Sequence, residues 1–174
     1  RVAEEVRTLV EKGFREFVLT GIRLTSYSYE GLTLTDLIEK ISVIDGVHRI
    51  RLGSLEPKAV TEDFARRLSA IPNFCPHFHL SLQSGSAGVL KRMNRHYTPE
   101  EFMESVSYLR KYFKDPALTA DMICGFPGET EEEFNESLEF ARKVGFYEIH
   151  VFPYSVRQGT KAEKMPGQLS KKEK

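Results

Sequence analysis

The stretch "TADMICGFPGETEEEF", Thr119 to Phe134, decides how the chain is read. An apolar run, Met122-Ile123-Cys124, enters a bent turn, Gly125-Phe126-Pro127-Gly128. A helix starts at once, with Thr130 and Glu133 spaced as a capping box. Strand, glycine turn and helix in that order make half of a βα unit. A turn that needs two glycines and a proline, where a polar loop would connect, implies backbone brought close to something else.

The same grammar repeats outward. Strand candidates are Glu16–Thr20, Arg49–Gly53, Phe78–Gln83, Thr119–Cys124 and Glu148–Phe152, their starts falling roughly every 30 to 40 residues, the length of a parallel crossover. Helical stripes lie between them. Val2, Val6, Leu9 and Val10 share a face that ends at Gly13; Leu37, Ile38, Ile41 and Ile44 share one that ends at Gly46; Phe64, Leu68 and Ile71 run to Pro72. Thr98-Pro99-Glu100-Glu101 opens another helix with cap, proline and box carboxylate together. Five strands alternating with helices predict an α/β fold with a parallel sheet. A closed eight-unit barrel takes about 250 residues, so an open partial (βα) barrel or a doubly wound sheet fits.

At 174 residues and 40% hydrophobic, the chain has the composition of one ordinary domain. Its 25 basic and 25 acidic residues cancel, so no global field draws nucleic acid, and an RNA partner needs a local patch or another domain. No membrane span or signal peptide is legible, and the expected compartment is the cytoplasm. Cys75 and Cys124 lie too far apart for a metal motif. The chain opens inside a helical pattern at Arg1-Val2-Ala3-Glu4-Glu5, as a piece of a longer protein would. Residues 1–156 read as the barrel core and 157–174 as a polar, basic exit segment leading to a further C-terminal domain.

In parallel α/β proteins ligands gather at the carboxyl ends of the strands. The five exits here are "LTGIRLTSY", "LGSLEP", "LSLQSGS", "ICGFPGET" and "FPYSVRQGT", and polar residues mark their tips: Thr20, Ser54 with Glu56, Gln83, and Tyr154 with Ser155. His77 and His79 share a strand face and could serve a metal-dependent barrel hydrolase, but they enter the strand whose exit is Gln83, which places them at the end away from the pocket. The basic run Lys91-Arg92-Met93-Asn94-Arg95-His96 follows a pocket-facing loop, where an arginine could meet a carboxylate. Asp121, inside an apolar strand, must be solvated or bonded to a ligand hydroxyl.

Together "FVLTGI", "RIRLGSLEP", "CPHFHLSLQSGS", "LKRMNRHYT", "DMICGFPGETEEEF" and "HVFPYSVRQGTKAEKMPGQ" resemble the radical S-adenosylmethionine methylthiotransferases, in particular the branch that modifies threonylcarbamoyladenosine in tRNA. The resemblance implies an open partial TIM-like barrel whose first strand and CxxxCxxC cluster loop lie upstream of Arg1. It implies S-adenosylmethionine and two [4Fe-4S] clusters in the whole protein, neither ligated here, a TRAM domain downstream, a tRNA substrate, and flavodoxin or ferredoxin as electron donor. It implies that no catalytic residue lies in this segment and that the segment alone is inactive. By motif matching, Thr20 and Gly21 would hold the methionine amino group, Arg95 its carboxylate, and Gln83 the ribose or nearby polar atoms. Asp121 would accept from the ribose, Ile123 would pack on adenine, Phe152 would close the far edge, and Ser54 or Glu56 would add a polar contact. The glycines of "GFPGE" would let backbone approach the adenosine. Ala87, Ser28 and Cys124 depart from the usual pattern of an acid, a glycine and a valine. Related substrates are a ribosomal-protein aspartate and isopentenyl-type adenosine; a domain that only binds RNA is disfavoured by the neutral charge.

Overall fold

A computed structural model describes all 174 residues. Helix α1 (Val2–Glu11) leads into strand β1 (Glu16–Leu19), and a short hairpin, β2 (Ser28–Tyr29) and β3 (Leu32–Thr33), follows. Then come α2 (Leu34–Ser42), β4 (Arg49–Leu52), α3 (Glu62–Ser69), β5 (His77–Gln83), α4 (Ala87–Arg92), α5 (Pro99–Tyr112), β6 (Ala117–Cys124), α6 (Glu131–Val144) and β7 (Glu148–Pro153). All five expected strands are present within two residues of their expected ends. The hairpin and the short α4 were not expected. The hairpin turns at Glu30 and Gly31, φ +50° and +79°, the left-handed pair that a two-residue turn requires. Helix α2 stops at Ser42, short of the expected Gly46.

The helices start where their caps dictate. Thr33 with Asp36, Thr98 with Glu101 and Thr130 with Glu133 each form a reciprocal capping box, and Thr61 accepts from the Phe64 amide. Each such cap is worth about 1 kcal/mol of helix stability.

β1 pairs in parallel with β4, and β5, β6 and β7 form a second parallel sheet. Between β4 and β5 only isolated bridges remain, Ile50 with Phe74 and Leu55 with Leu80. The sheet is thus an open partial (βα) barrel with a seam. Side chains alternate across it. The outer set, Phe17, Ile50, Leu52, Phe78, Leu80, Leu82, Leu118, Ala120 and Met122, is buried beneath helix residues such as Ile38, Ile41, Leu68, Phe102, Val106 and Leu109. Each such large side chain contributes roughly 1.5–3 kcal/mol by leaving water.

The inner set is polar and half open: Glu16 and Arg51 paired at 2.6 Å, then His77, His79, Ser81 and Gln83 on β5, Asp121 on β6, Glu148 and His150 on β7. Closed barrels fill this space with layers of branched apolar side chains; this one leaves it to charge and water.

Candidate functional site

At the carboxyl end of the sheet lie two neighbouring cavities. The first, about 280 Å³, is lined by Gly21, Arg23, Ser54, Glu56, Lys58, Ser81, Arg95, His96 and Tyr97, among others. The second, about 380 Å³, is lined by Gln83, Asp121, Ile123, Phe152, Tyr154 and their neighbours. Ser81 belongs to one and Gln83 to the other; they are two residues apart on the same face of β5, so the cavities lie within about 7 Å of each other. Eight of the nine residues singled out from the sequence therefore converge: Gly21, Ser54, Glu56 and Arg95 in the first cavity, Gln83, Asp121, Ile123 and Phe152 in the second. The ninth, Thr20, turns toward a separate apolar cleft between α1, β1 and α2.

The β5 exit is shaped by a register shift between Leu80 and Gln83, and Gln83 takes φ +68°, a conformation that costs a non-glycine residue about 1–2 kcal/mol. Tyr97 compensates. Its hydroxyl donates to the carbonyls of Ser81 and Leu82, both at 2.6 Å, where the ladder is broken. Burial pushes the Tyr97 phenol up to about 12, so it stays a donor. Nothing in the sequence marked Tyr97; its role depends on the bulge, which periodicity does not reveal.

The loop after Gln83 is fixed from α6. Ser84 Oγ and Ser137 Oγ lie 3.0 Å apart, the Gly85 amide donates to Ser137 Oγ at 3.1 Å, and Ser86 Oγ donates to Glu136 at 2.6 Å. Gly85 is obligatory here, because an added Cβ would meet Phe140 Cβ at 2.6 Å and the Ser137 Cα at 2.8 Å. Of the basic run, Arg92 meets a carboxylate bidentately, but that carboxylate is Glu133 of α6, at 2.9 and 2.5 Å. The Arg92 guanidinium holds the Glu133 carboxyl below its ordinary range.

Two expectations are corrected. The glycines of "GFPGE" do not open toward either cavity. Both Gly125 and Gly128 are left-handed, φ +73° and +75°; Glu129 accepts from the amides of Gly125 and Phe126, and the Gly128 amide donates to the Gly167 carbonyl at 2.8 Å. The backbone brought close is the exit segment: a Cβ on Gly167 would sit 2.9 Å from Gly128 Cα. Second, His79 does not lie away from the site. Its Nε2 is 3.5 Å from Asp121 Oδ2, because β5 and β6 pair residue for residue from His77 with Ala117 to Leu80 with Ala120, which leaves His79 and Asp121 on one inner face. Asp121 is thereby paired as well as solvent-facing.

Three comparisons bear on this arrangement. The family description "Radical SAM superfamily" matches residues 1–141. The chain is 40% identical over 172 residues to a threonylcarbamoyladenosine tRNA methylthiotransferase, MtaB, of Thermotoga maritima, covering 98% of this chain and 40% of that protein. It is equally, 40%, identical over 168 residues to a tRNA-2-methylthio-N(6)-dimethylallyladenosine synthase of Caldicellulosiruptor saccharolyticus, covering 95% of this chain and 36% of that protein. The chain thus spans about two fifths of the length of the curated relatives it matches. Among solved structures, coproporphyrinogen III oxidase (HemN) of Escherichia coli superposes with a TM-score of 0.72 at 16% identity, covering 98% of this chain and 41% of that one, a likeness of fold alone. Partial barrel, site at the strand exits and family match agree: the chain belongs to the Radical SAM superfamily.

Proposed function

We propose that this chain cradles S-adenosylmethionine in a transferase that adds a methylthio group to C2 of N6-threonylcarbamoyladenosine next to the anticodon of tRNA. The observation that carries this is the split of eight candidate residues between two adjacent cavities of opposite chemistry. The first suits an amino acid: Arg95 for a carboxylate, the carbonyls near Thr20 and Gly21 for an ammonium, Ser54 and Glu56 for a further polar contact. The second suits a nucleoside: Asp121 and Gln83 for ribose hydroxyls, Ile123 and Phe152 for the base. Tyr154, whose buried hydroxyl has no partner within the chain, also lines that cavity and has a bond to offer.

When bound and given one electron from the rest of the protein, this cofactor would release methionine and supply a carbon-centred radical able to take hydrogen from an unactivated C–H bond. The chain's own residues orient it. Arg95 and Asp121 hold opposite ends, so the middle of the molecule lies over the β5 exit, and Ile123 and Phe152 keep water from the base. A [4Fe-4S] cluster does not fit the residues present. Cys75 and Cys124 are the chain's two cysteines, and no group of three or more His, Cys, Asp or Glu is placed to hold a metal. Cluster ligands, a tRNA-binding TRAM domain beyond the exit segment at 157–174, and an electron donor such as flavodoxin or ferredoxin belong to the rest of the protein in this proposal; its compartment is the cytoplasm. No helix is long and apolar enough to cross a membrane.

A second reading, the dimethylallyladenosine branch, is carried by the chain's equal identity, 40%, to that synthase. A metal-dependent hydrolase built on His77 and His79 is not supported, since Thr119 and Asp121 engage both rings. Nucleoside mass spectrometry of tRNA from cells lacking the gene decides the substrate. Loss of the methylthio form with accumulation of threonylcarbamoyladenosine is the expected result; accumulation of dimethylallyladenosine selects the second reading, and unchanged tRNA overturns both.

A further inference from the structure

The inner face of the barrel holds a chain of facing polar groups, of which the cofactor proposal uses only Asp121. His77 Nε2 lies 3.4 Å from Thr119 Oγ1, and Thr119 Oγ1 lies 3.0 Å from His79 Nδ1. His79 Nε2 lies 3.5 Å from Asp121 Oδ2, Asp121 Oδ1 lies 3.3 Å from His150 Nδ1, and His150 Nε2 lies 3.5 Å from Glu148 Oε1. Strand register places this series: His79 pairs with Thr119, and Asp121 pairs with His150. The other charged groups on this face, Arg49, Arg51 and Glu16, are occupied with one another.

Asp121 sits between two imidazoles, and each of its oxygens faces one ring nitrogen. A hydroxyl at Thr119 that donates to His79 Nδ1 leaves the proton on Nε2, toward the carboxylate. A carboxylate offers about four lone-pair directions, two per oxygen. With each oxygen facing one histidine, lone-pair directions remain on both, and the carboxylate itself lines the second cavity. At 3.3 and 3.5 Å the two imidazoles flank the carboxylate, one beside each oxygen.

We propose that His79 and His150 are positioning residues that fix the Asp121 carboxylate to receive both hydroxyls of a vicinal diol, so that the second cavity selects ribonucleosides over their 2′,3′-dideoxy counterparts. This rests on the nucleoside assignment of that cavity. The imidazoles touch no ligand themselves; they hold the acceptor still.

The test titrates the 174-residue chain with adenosine and with 2′,3′-dideoxyadenosine, following amide shifts by NMR. The native chain should prefer adenosine by roughly a hundredfold or more, as two hydrogen bonds to a charged acceptor require. The pair His79→Leu with His150→Leu should erase that preference while leaving dideoxyadenosine affinity unchanged. The pair His79→Gln with His150→Asn, which puts an amide N–H near each lost ring nitrogen, should restore most of it. Equal weakening of both nucleosides in the leucine pair marks a structural role and overturns the proposal. Retained preference in the leucine pair, with preference lost in Asp121→Ala, overturns the histidines' part and leaves the nucleoside assignment standing. A native chain that binds neither nucleoside, or both alike, overturns that assignment and this proposal with it.

Discussion

Two neighbouring strand exits, after β5 and after β6, carry the same punctuation and do different work. Gln83-Ser84-Gly85-Ser86 lines the second cavity with Gln83 and locks its remaining residues to α6. Gly125-Phe126-Pro127-Gly128 closes on itself through Glu129 and on the exit segment through Gly167. Glycine reports in both places that backbone comes close; what it comes close to differs. In the first the neighbour is helix α6, in the second a later part of the chain.

This contrast can be broken most severely at Gly85. Gly85→Val must displace the Ser137 backbone and Phe140, and overpacking of this kind should cost about 3 kcal/mol in urea unfolding. A cost below 1 kcal/mol would mean that α6 does not hold the loop. Glu133→Gln comes next. It weakens the bidentate pair with half-buried Arg92, an interaction worth roughly 1.5–3 kcal/mol when a charged hydrogen bond is lost. Because Arg92 holds the Glu133 carboxyl below its unfolded value, that stability is present above about pH 4.5 and is lost as pH falls through the lowered value. The native chain should therefore weaken in acid more steeply than the variant.

In Gly128→Ala the added Cβ makes only ordinary van der Waals contact, with Arg92 Nε at 3.8 Å, and its cost is the left-handed backbone alone, about 1 kcal/mol. Hydrogen exchange at the Gly128 amide should accelerate if the exit segment lifts with it. Glu129→Gln should show the smallest change, within about 1 kcal/mol, because an amide oxygen can still accept from Gly125 and Phe126. Burial raises the Glu129 carboxyl, so its contribution is largest when protonated, below about pH 4.5, and fades as pH rises through the raised value. Unfolding followed on both sides of about pH 4.5 should give opposite slopes, stability rising with pH below it through Glu133 and falling with pH above it through Glu129, two carboxylates four residues apart.

The strands and helices were legible because apolar period and caps are local. Thr98 with Glu101 and Thr130 with Glu133 announced their helices, and alternation in "HFHLSLQ" announced β5. The convergence of eight of the nine candidate residues was legible too, since strand exits meet by topology and the residues at their tips follow. What sequence missed depended on register and on distant partners. Placing His79 beside Asp121 requires knowing how β5 slides against β6, and Tyr97 matters only because β5 bulges. The glycines of "GFPGE" were misassigned because Gly167, their partner, lies far along the chain.

The seam between β4 and β5 has a mechanical consequence. Along the backbone only Ile50 and Leu55 carry hydrogen bonds between the two sheets, so this line has the sparsest ladder in the barrel. The first cavity straddles it, drawing Gly21, Ser54 and Glu56 from one side and Ser81, Arg95 and Tyr97 from the other. The second cavity lies wholly on the three-stranded side. Parting of the sheets therefore widens the first and leaves the second unchanged, which gives the site one adjustable half and one stiff one.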